Sequence, residues 1–159
     1  MDNQLKTRKT PEPAFRDLTR EESETLLARN HVGRIAFSFH DSVDIRPIHY
    51  VFDDGWLYGR TSPGDKLVML RHNQWMAFEV DEVKGPLDWK SVVVRGTFYL
   101  LRNEGSVHDV RLYEKGLAAV RTLAPDALTD RDQLGFRTEV FGISIDSISG
   151  RSCSTKVKT

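Results

Sequence analysis

The sequence has only one cysteine, Cys153, and no excess charge of either sign. One cysteine excludes an intramolecular disulfide and a zinc site built on several thiolates. The 23 basic and 23 acidic residues balance, which argues against a strongly basic nucleic-acid-binding protein. No apolar run approaches the length of a membrane span, and the polar start lacks the apolar core of a signal peptide. We therefore expect a cytoplasmic protein whose partners include neither nucleic acid nor membrane.

Several motifs that signal a particular chemistry are also missing. No GxGxxG fingerprint follows a strand, no Walker A loop is present, and no GxSxG turn places a nucleophilic serine. The five histidines have no metal-ligand spacing such as His-x-x-x-His. The sequence therefore predicts no metal site and no Rossmann nucleotide site.

The segments with a clear pattern predict a mainly β domain. Alternation and β-branched residues predict six strands, at 34–39, 43–52, 56–60, 75–80, 89–101 and 138–148. Helices are predicted at 20–29, from Pro63 to about His72, and at 108–123, with a loop at 81–88 and a loop or short helix at 124–134. Hairpin connections favour an antiparallel barrel or sandwich with peripheral helices. We expect a flexible arm at 1–17, the domain at 18–151 and a flexible tail at 152–159.

The junction after the third predicted strand has the composition of a phosphate-binding cradle. Ser62 is predicted to cap the helix that Pro63 begins, and a helix start presents unpaired N–H groups and the positive end of a dipole. Thr61, Ser62, Arg60 and Lys66 would add hydroxyls and positive charge. The alternative is an ordinary strand–turn–helix junction with solvated charges.

Two further segments could contribute to a site. In the segment 46–50, Pro47 removes a backbone donor and favours a bulge or edge, which could direct His49 and Tyr50 towards a ligand. The alternative, which we prefer on the residues alone, is that both side chains face solvent. The indole, ammonium and hydroxyl of the segment 89–92 could line the mouth of a pocket. An amphipathic strand that begins with a buried Trp89 explains the same residues equally well.

These segments, taken in order, carry a resemblance to a known family. The series is GRIA at 33–36, RPIHY at 46–50, DGWLY at 54–58, GDK at 64–66, FEVD at 78–81, WKSVVVRG at 89–96 and ISGR at 148–151. It resembles the pyridoxamine 5'-phosphate oxidase-like family, and more closely its flavin-binding branch that includes nitroimidazole-resistance proteins. The resemblance covers about residues 18–151. It implies a six-stranded antiparallel split β-barrel that binds FMN and works as a homodimer, with the flavin at the subunit interface.

The resemblance also implies roles for individual residues. The strand from Arg46 through Pro47, Ile48 and His49 to Tyr50 would pack along the isoalloxazine ring. The phosphate would be held by Thr61, Ser62 and Lys66, in agreement with the cradle. The ring or the ribityl chain would be lined by Trp89, Ser91 and Val92. His49 is the candidate for contact with a small-molecule substrate, and the only candidate catalytic residue.

We therefore expect a flavin-dependent oxidoreductase in which the cofactor carries the electrons. Oxidation of pyridoxamine phosphate itself is less expected, because only Arg151 remains as a candidate for a substrate-phosphate site. The alternative is a non-catalytic or regulatory barrel that holds haem, a deazaflavin, FAD or FMN without turnover. The sequence leaves open whether the helix at 108–123 covers the site or only the barrel.

Overall fold

The computed structural model describes residues 12–156, which form eight strands and three helices. The elements in chain order are β1 (Glu12–Leu18), α1 (Arg20–Arg29), β2 (Val32–Phe39), β3 (Ser42–His49), β4 (Val51–Asp53), β5 (Trp56–Thr61), α2 (Asp65–His72), β6 (Trp75–Gly85), β7 (Asp88–Leu100), α3 (Val107–Leu123) and β8 (Glu139–Lys156). The predicted mainly β class with peripheral helices is confirmed. No helix in this range is long and apolar enough to span a membrane.

The strands form the single antiparallel sheet of the barrel. They pair in the order β3-β2-β6-β7-β8-β5-β4, and β1 pairs with β8 outside this path. The first and last strands of the path, β3 and β4, are separated in the chain by Tyr50 alone. The two edges of the sheet are therefore joined covalently. The segment at 43–52, predicted as one strand, is divided at this residue, which accounts for one of the two additional strands.

Tyr50 connects the barrel to the first helix. Its ring packs against Phe78 in the core, with ring centroids 4.8 Å apart. Its hydroxyl donates a hydrogen bond of 2.9 Å to the carbonyl of Leu27 in α1. α1 begins with the predicted capping box, in which Thr19 accepts from the Glu22 N–H and the Glu22 carboxylate accepts from the Thr19 N–H. The helix thus covers the barrel where β3 ends.

The second additional strand, β1, corrects the predicted arm and tail. β1 pairs with β8 from Glu12↔Lys156 to Leu18↔Gly150. Residues 12–17 and 152–156 are therefore paired strand and not flexible ends, whereas 1–11 and 157–159 lie outside the described residues. The side chains of β1 are mostly exposed, so the strand is held by main-chain pairing that leaves little apolar pattern in the sequence.

Two other local predictions were wrong. The predicted loop at 81–88 is mostly strand, because β6 and β7 continue to pair as far as Gly85↔Asp88 around a short turn. Helix α2 begins at Asp65, with Gly64 as its N-cap and no side-chain capping bond. Ser62 is therefore not the N-cap, and Pro63 is not the first helical residue. Helix α3 is confirmed within one residue and packs over β5 and β8 around Tyr58, Leu101 and Val140.

Candidate functional site

The predicted phosphate cradle lies at the edge of the barrel where β5 and β8 stop pairing. The final pair is Thr61↔Glu139. Beyond this pair, the segment after β5 continues through Ser62 into α2, which contains Lys66. The segment that leads into β8 contains Arg137, two residues before Glu139. Residues distant in sequence are therefore brought to the same edge.

Lys66 lies in an electrostatic environment that favours an anion. Its side chain is half-buried. Burial lowers the pKa of the Lys66 ammonium, and the positive charges of Arg137 and Arg46 lower this pKa further. Within residues 12–156, neither Lys66 nor Arg137 forms a salt bridge with a carboxylate. A bound anion would offset the mutual repulsion of these cations.

Hydrogen-bond donors surround the same position. Thr61 and Ser62 are half-buried, and their hydroxyls make no hydrogen bond within the described part of the chain. As at any helix start, the N–H groups of Asp65 and Lys66 have no backbone acceptor in the described part of the chain. The N-cap, Gly64, has no side chain that could accept from them. The cradle thus brings together the three predicted phosphate ligands, Thr61, Ser62 and Lys66. The hydroxyl of Ser62 is available because Ser62 is not the N-cap of α2.

Arg60, which we predicted as part of this cradle, is engaged elsewhere. Both terminal nitrogens of its guanidinium donate to the Asp132 carboxylate, one of them at 3.1 Å. Both side chains are almost fully buried. The same carboxylate accepts the N–H groups of Leu128 at 2.8 Å and Leu134 at 3.0 Å. The hydrogen bonds from Arg60 hold the pKa of Asp132 well below its usual range. Arg60 therefore anchors a loop and is not free to bind phosphate.

A pocket of about 220 Å³ opens beside the cradle. It lies between β4, β5, the end of α3 and the irregular segment 124–138. Val120 and Leu123 of α3 form one wall, and Leu134 and Arg137 form another. His49 lies at the rim. The C-terminal end of α3 therefore helps to form the site and does not only cover the barrel. The volume is below the 300–1,000 Å³ typical of small-molecule pockets.

The structure divides the predicted ring-binding strand at 46–50 into accessible and buried side chains. Pro47 and His49 are exposed on the outer face of β3, whereas the side chains of Ile48 and Tyr50 lie in the core. Arg46 donates to Asp44 of its own strand at 2.8 and 3.0 Å. A planar group packed on this strand would therefore meet Pro47, His49 and the backbone.

Gly59 allows β5 to approach this strand closely. A Cβ at Gly59 would lie 2.7 Å from the carbonyl oxygen of His49 and 2.4 Å from the ring of Phe141. These distances are shorter than real Cβ contacts. Glycine at position 59 therefore permits the close approach of β5 to the His49 backbone beside the pocket.

The other predicted cofactor residues lie far from the cradle within one chain. Trp89 packs against Phe15 of β1, with ring centroids 6.3 Å apart, and the Ser91 hydroxyl donates to Glu79 at 3.3 Å. The side chain of Val92 is fully buried in the core. Along β8, Trp89 pairs opposite Cys153 and Ser91 opposite Arg151, whereas Thr61 of the cradle pairs opposite Glu139 at the other end of the strand. Trp89 and Ser91 therefore do not line the pocket, and the side chain of Val92 does not reach either surface.

Comparison with known proteins identifies the family. A sequence model described as pyridoxamine 5'-phosphate oxidase matches residues 19–152. The chain belongs to this family. The recognition made from the ordered segments is thereby confirmed.

Three known proteins are similar to this chain. An FAD-binding protein from Mesorhizobium loti is 28% identical, with a TM-score of 0.70 over 87% of this chain and 97% of that one. A protein from Corynebacterium glutamicum, described as a candidate pyridoxamine 5'-phosphate oxidase, is 26% identical, with a TM-score of 0.64 over 90% of this chain and all of that one. An uncharacterised protein from Rhizobium meliloti is 31% identical over 98 residues, which are 62% of this chain and slightly under two thirds (65%) of that protein.

Sequence reasoning missed part of the site in this family member. Arg137 and Leu134 lie in a segment without a motif, and only the pairing of Thr61 with Glu139 brings them to the cradle. Asp132 was missed for the same reason, since it is 72 residues from Arg60. No group of three or more His, Cys, Asp or Glu side chains in residues 12–156 is arranged to hold a metal ion.

Proposed function

We propose that this pyridoxamine 5'-phosphate oxidase-family chain binds a flavin nucleotide, FMN, with its phosphate held by Thr61, Ser62 and Lys66. One observation carries the proposal: Lys66 is half-buried beside Arg137 and Arg46 and has no carboxylate partner in residues 12–156. A phosphate dianion supplies the charge and the acceptor oxygens that this cluster of cations, hydroxyls and helix amides can bind.

The outer face of β3 is the surface we assign to the flavin ring. Pro47 and His49 are exposed there, and the strand runs from Arg46 towards the pocket. When bound, the flavin supplies the electron-transfer chemistry of the protein. The residues of this chain would hold the phosphate, orient the ring and shield it from water. His49, at the rim of the pocket, remains the candidate for contact with a small-molecule substrate.

We further propose that two copies of the chain form the complete site. Three large apolar side chains on β3 and β6 are widely exposed: Val43 at 76%, Ile45 at 62% and Trp75 at 68%. Contiguous exposed apolar surface of this kind marks interaction sites. A homodimer would cover it and would enlarge a pocket that is small in one chain. Trp89 and Ser91 keep their predicted role only if the partner subunit supplies them.

The activity we propose is that of a flavin-dependent oxidoreductase acting on a small molecule. Oxidation of pyridoxamine phosphate is not favoured, because Arg151 is the one candidate that the sequence offers for binding a substrate phosphate, and its guanidinium lies over the ring of Phe15 at 5.8 Å. A carrier without turnover is the alternative that retains the same cofactor contacts.

The absorption spectrum of the freshly purified protein tests this function. We expect flavin bands, and we expect the chromophore released by denaturation to co-elute with FMN in chromatography against FMN, FAD and haem standards. Release of FAD, which the Mesorhizobium loti relative binds, would keep the flavin site and change the nucleotide. A Soret band, or a protein that stays colourless after incubation with FMN and removal of the excess, would contradict the proposal. Sedimentation equilibrium at twice the chain mass is expected for the same sample.

A further inference from the structure

We propose that Arg137 is a second cationic ligand of the cofactor phosphate, and that Asp132 is the positioning residue that holds it there. The inference rests on the proposed flavin site and adds a ligand from a segment to which no function has been assigned. The ligand it recognises is a phosphate monoester or the diphosphate of a nucleotide.

The strand register places Arg137 at the cradle. β5 and β8 pair through Arg60↔Val140 and Thr61↔Glu139 and then separate. Arg137 lies just before this last pair, and Ser62 lies just after it on the opposite strand. Arg137 also lines the pocket that has His49 at its rim. Arg137 therefore lies between the cradle and the pocket, where it could contact a phosphate bound in the cradle.

The loop that carries Arg137 is attached to the barrel wall through one carboxylate. Asp132 binds Arg60 of β5 and accepts the N–H groups of Leu128 and Leu134. The Arg137 N–H in turn donates to the carbonyl of Leu134 at 2.9 Å. The Arg60 and Asp132 side chains are only 7% and 5% exposed. Asp132 therefore fixes the backbone from which the Arg137 side chain projects.

Arg137 is also electrostatically available. In the described part of the chain it makes no ion pair, and its guanidinium lies over the ring of the adjacent Phe136, at 5.8 Å from the ring centroid. Arg131, on the same loop, differs in this respect. It pairs with Asp126 at 3.1 Å and is highly exposed. The alternative is that Arg137 is a solvated loop arginine that binds no ligand. Its replacement would then affect FMN binding no more than the replacement of Arg131.

Titration with FMN and with riboflavin, which lacks the phosphate, tests the role of Arg137. The full-length protein is compared with Arg137→Gln and with Arg131→Gln as the matched control. We expect Arg137→Gln to weaken FMN binding by about tenfold or more, to leave riboflavin binding unchanged and to recover partly as Arg137→Lys. Arg131→Gln is expected to change neither affinity. If the ratio of FMN affinity to riboflavin affinity is the same in Arg137→Gln as in the unmodified protein, the inference is overturned and the proposed flavin site is not affected.

A second set of variants tests the positioning role of Asp132. Asp132→Asn is expected to lower the affinity for FMN and to leave the affinity for riboflavin unchanged. The double variant Asp132→Asn with Arg137→Gln is expected to lose no more FMN affinity than Arg137→Gln by itself, because both changes remove the same contact with the phosphate. Additive losses would show that Asp132 acts independently of Arg137. If Asp132→Asn does not fold, Arg137→Gln alone decides the inference. Failure of the unmodified protein to bind FMN at all would instead contradict the proposed function.

Discussion

Replacement of Lys66 with methionine is expected to lower FMN affinity by about one to two orders of magnitude. The ammonium is the central cation of the cradle, and hydrogen bonds from a charged donor to a phosphate are among the strongest a protein forms. Methionine retains the length and apolar stem of lysine, so the half-buried environment stays filled. Riboflavin, which has no phosphate, should bind Lys66→Met and the unmodified protein equally.

The same variant should keep its stability in the absence of a ligand. Because burial and two neighbouring cations lower the pKa of Lys66 in the folded chain, the unfolded chain binds the proton more readily, and the stability of the unmodified protein rises as pH rises through the lowered pKa. Removing the charge should abolish this dependence and should not reduce the melting temperature. Lys115→Met, on the exposed face of α3, is the control. Equal loss of FMN and riboflavin affinity, or no loss of either, would contradict the assignment of Lys66.

Replacement of Arg60 with methionine is expected to have the largest effect on stability. The change leaves the buried Asp132 carboxylate without its cation, and uncompensated buried charges are strongly destabilising. We expect the melting temperature at neutral pH to fall by about 10 °C. Arg20→Met, which breaks the exposed pair of Arg20 with Glu24 in α1, should change it little. Similar shifts in the two variants would show that the Arg60–Asp132 pair does not anchor the loop.

The pH dependence of these melting temperatures provides a second measurement. Arg60 lowers the pKa of Asp132 in the folded chain, so the pair contributes stability above the ordinary pKa of an aspartate and loses it as the pH falls below about 4. The unmodified protein should therefore lose more stability than Arg60→Met between neutral pH and pH 2, and the two curves should converge at low pH. Parallel curves over this range would contradict the assignment.

The features that sequence reasoning predicted correctly are those set by short-range patterns. The capping box of Thr19 and Glu22 is complete within four residues, and the strands of the barrel alternate as their burial requires. The grouping of Thr61, Ser62 and Lys66 also follows from nearness in the chain. The family could be recognised because several such segments occur in a fixed order.

The features that were missed depend on contacts between distant parts of the chain. The start of α2 was misplaced because Ser62 and Pro63 have the composition of a helix start, although the helix begins only after Gly64. β1 and the end of β8 stabilise each other by main-chain pairing, which polar sequences do not reveal. Arg60 was assigned to phosphate because its partner, Asp132, is 72 residues away. The predicted roles of Trp89 and Ser91 would require the proposed second copy of the chain.

The most direct test of the central claim, that the cradle around Lys66 binds the phosphate of a flavin, is equilibrium titration of the unmodified protein with FMN and riboflavin in parallel. We expect one FMN per chain and an FMN affinity at least about tenfold above that of riboflavin. Equal affinities would show that the cradle does not recognise phosphate. Absence of FMN binding would contradict the account as a whole.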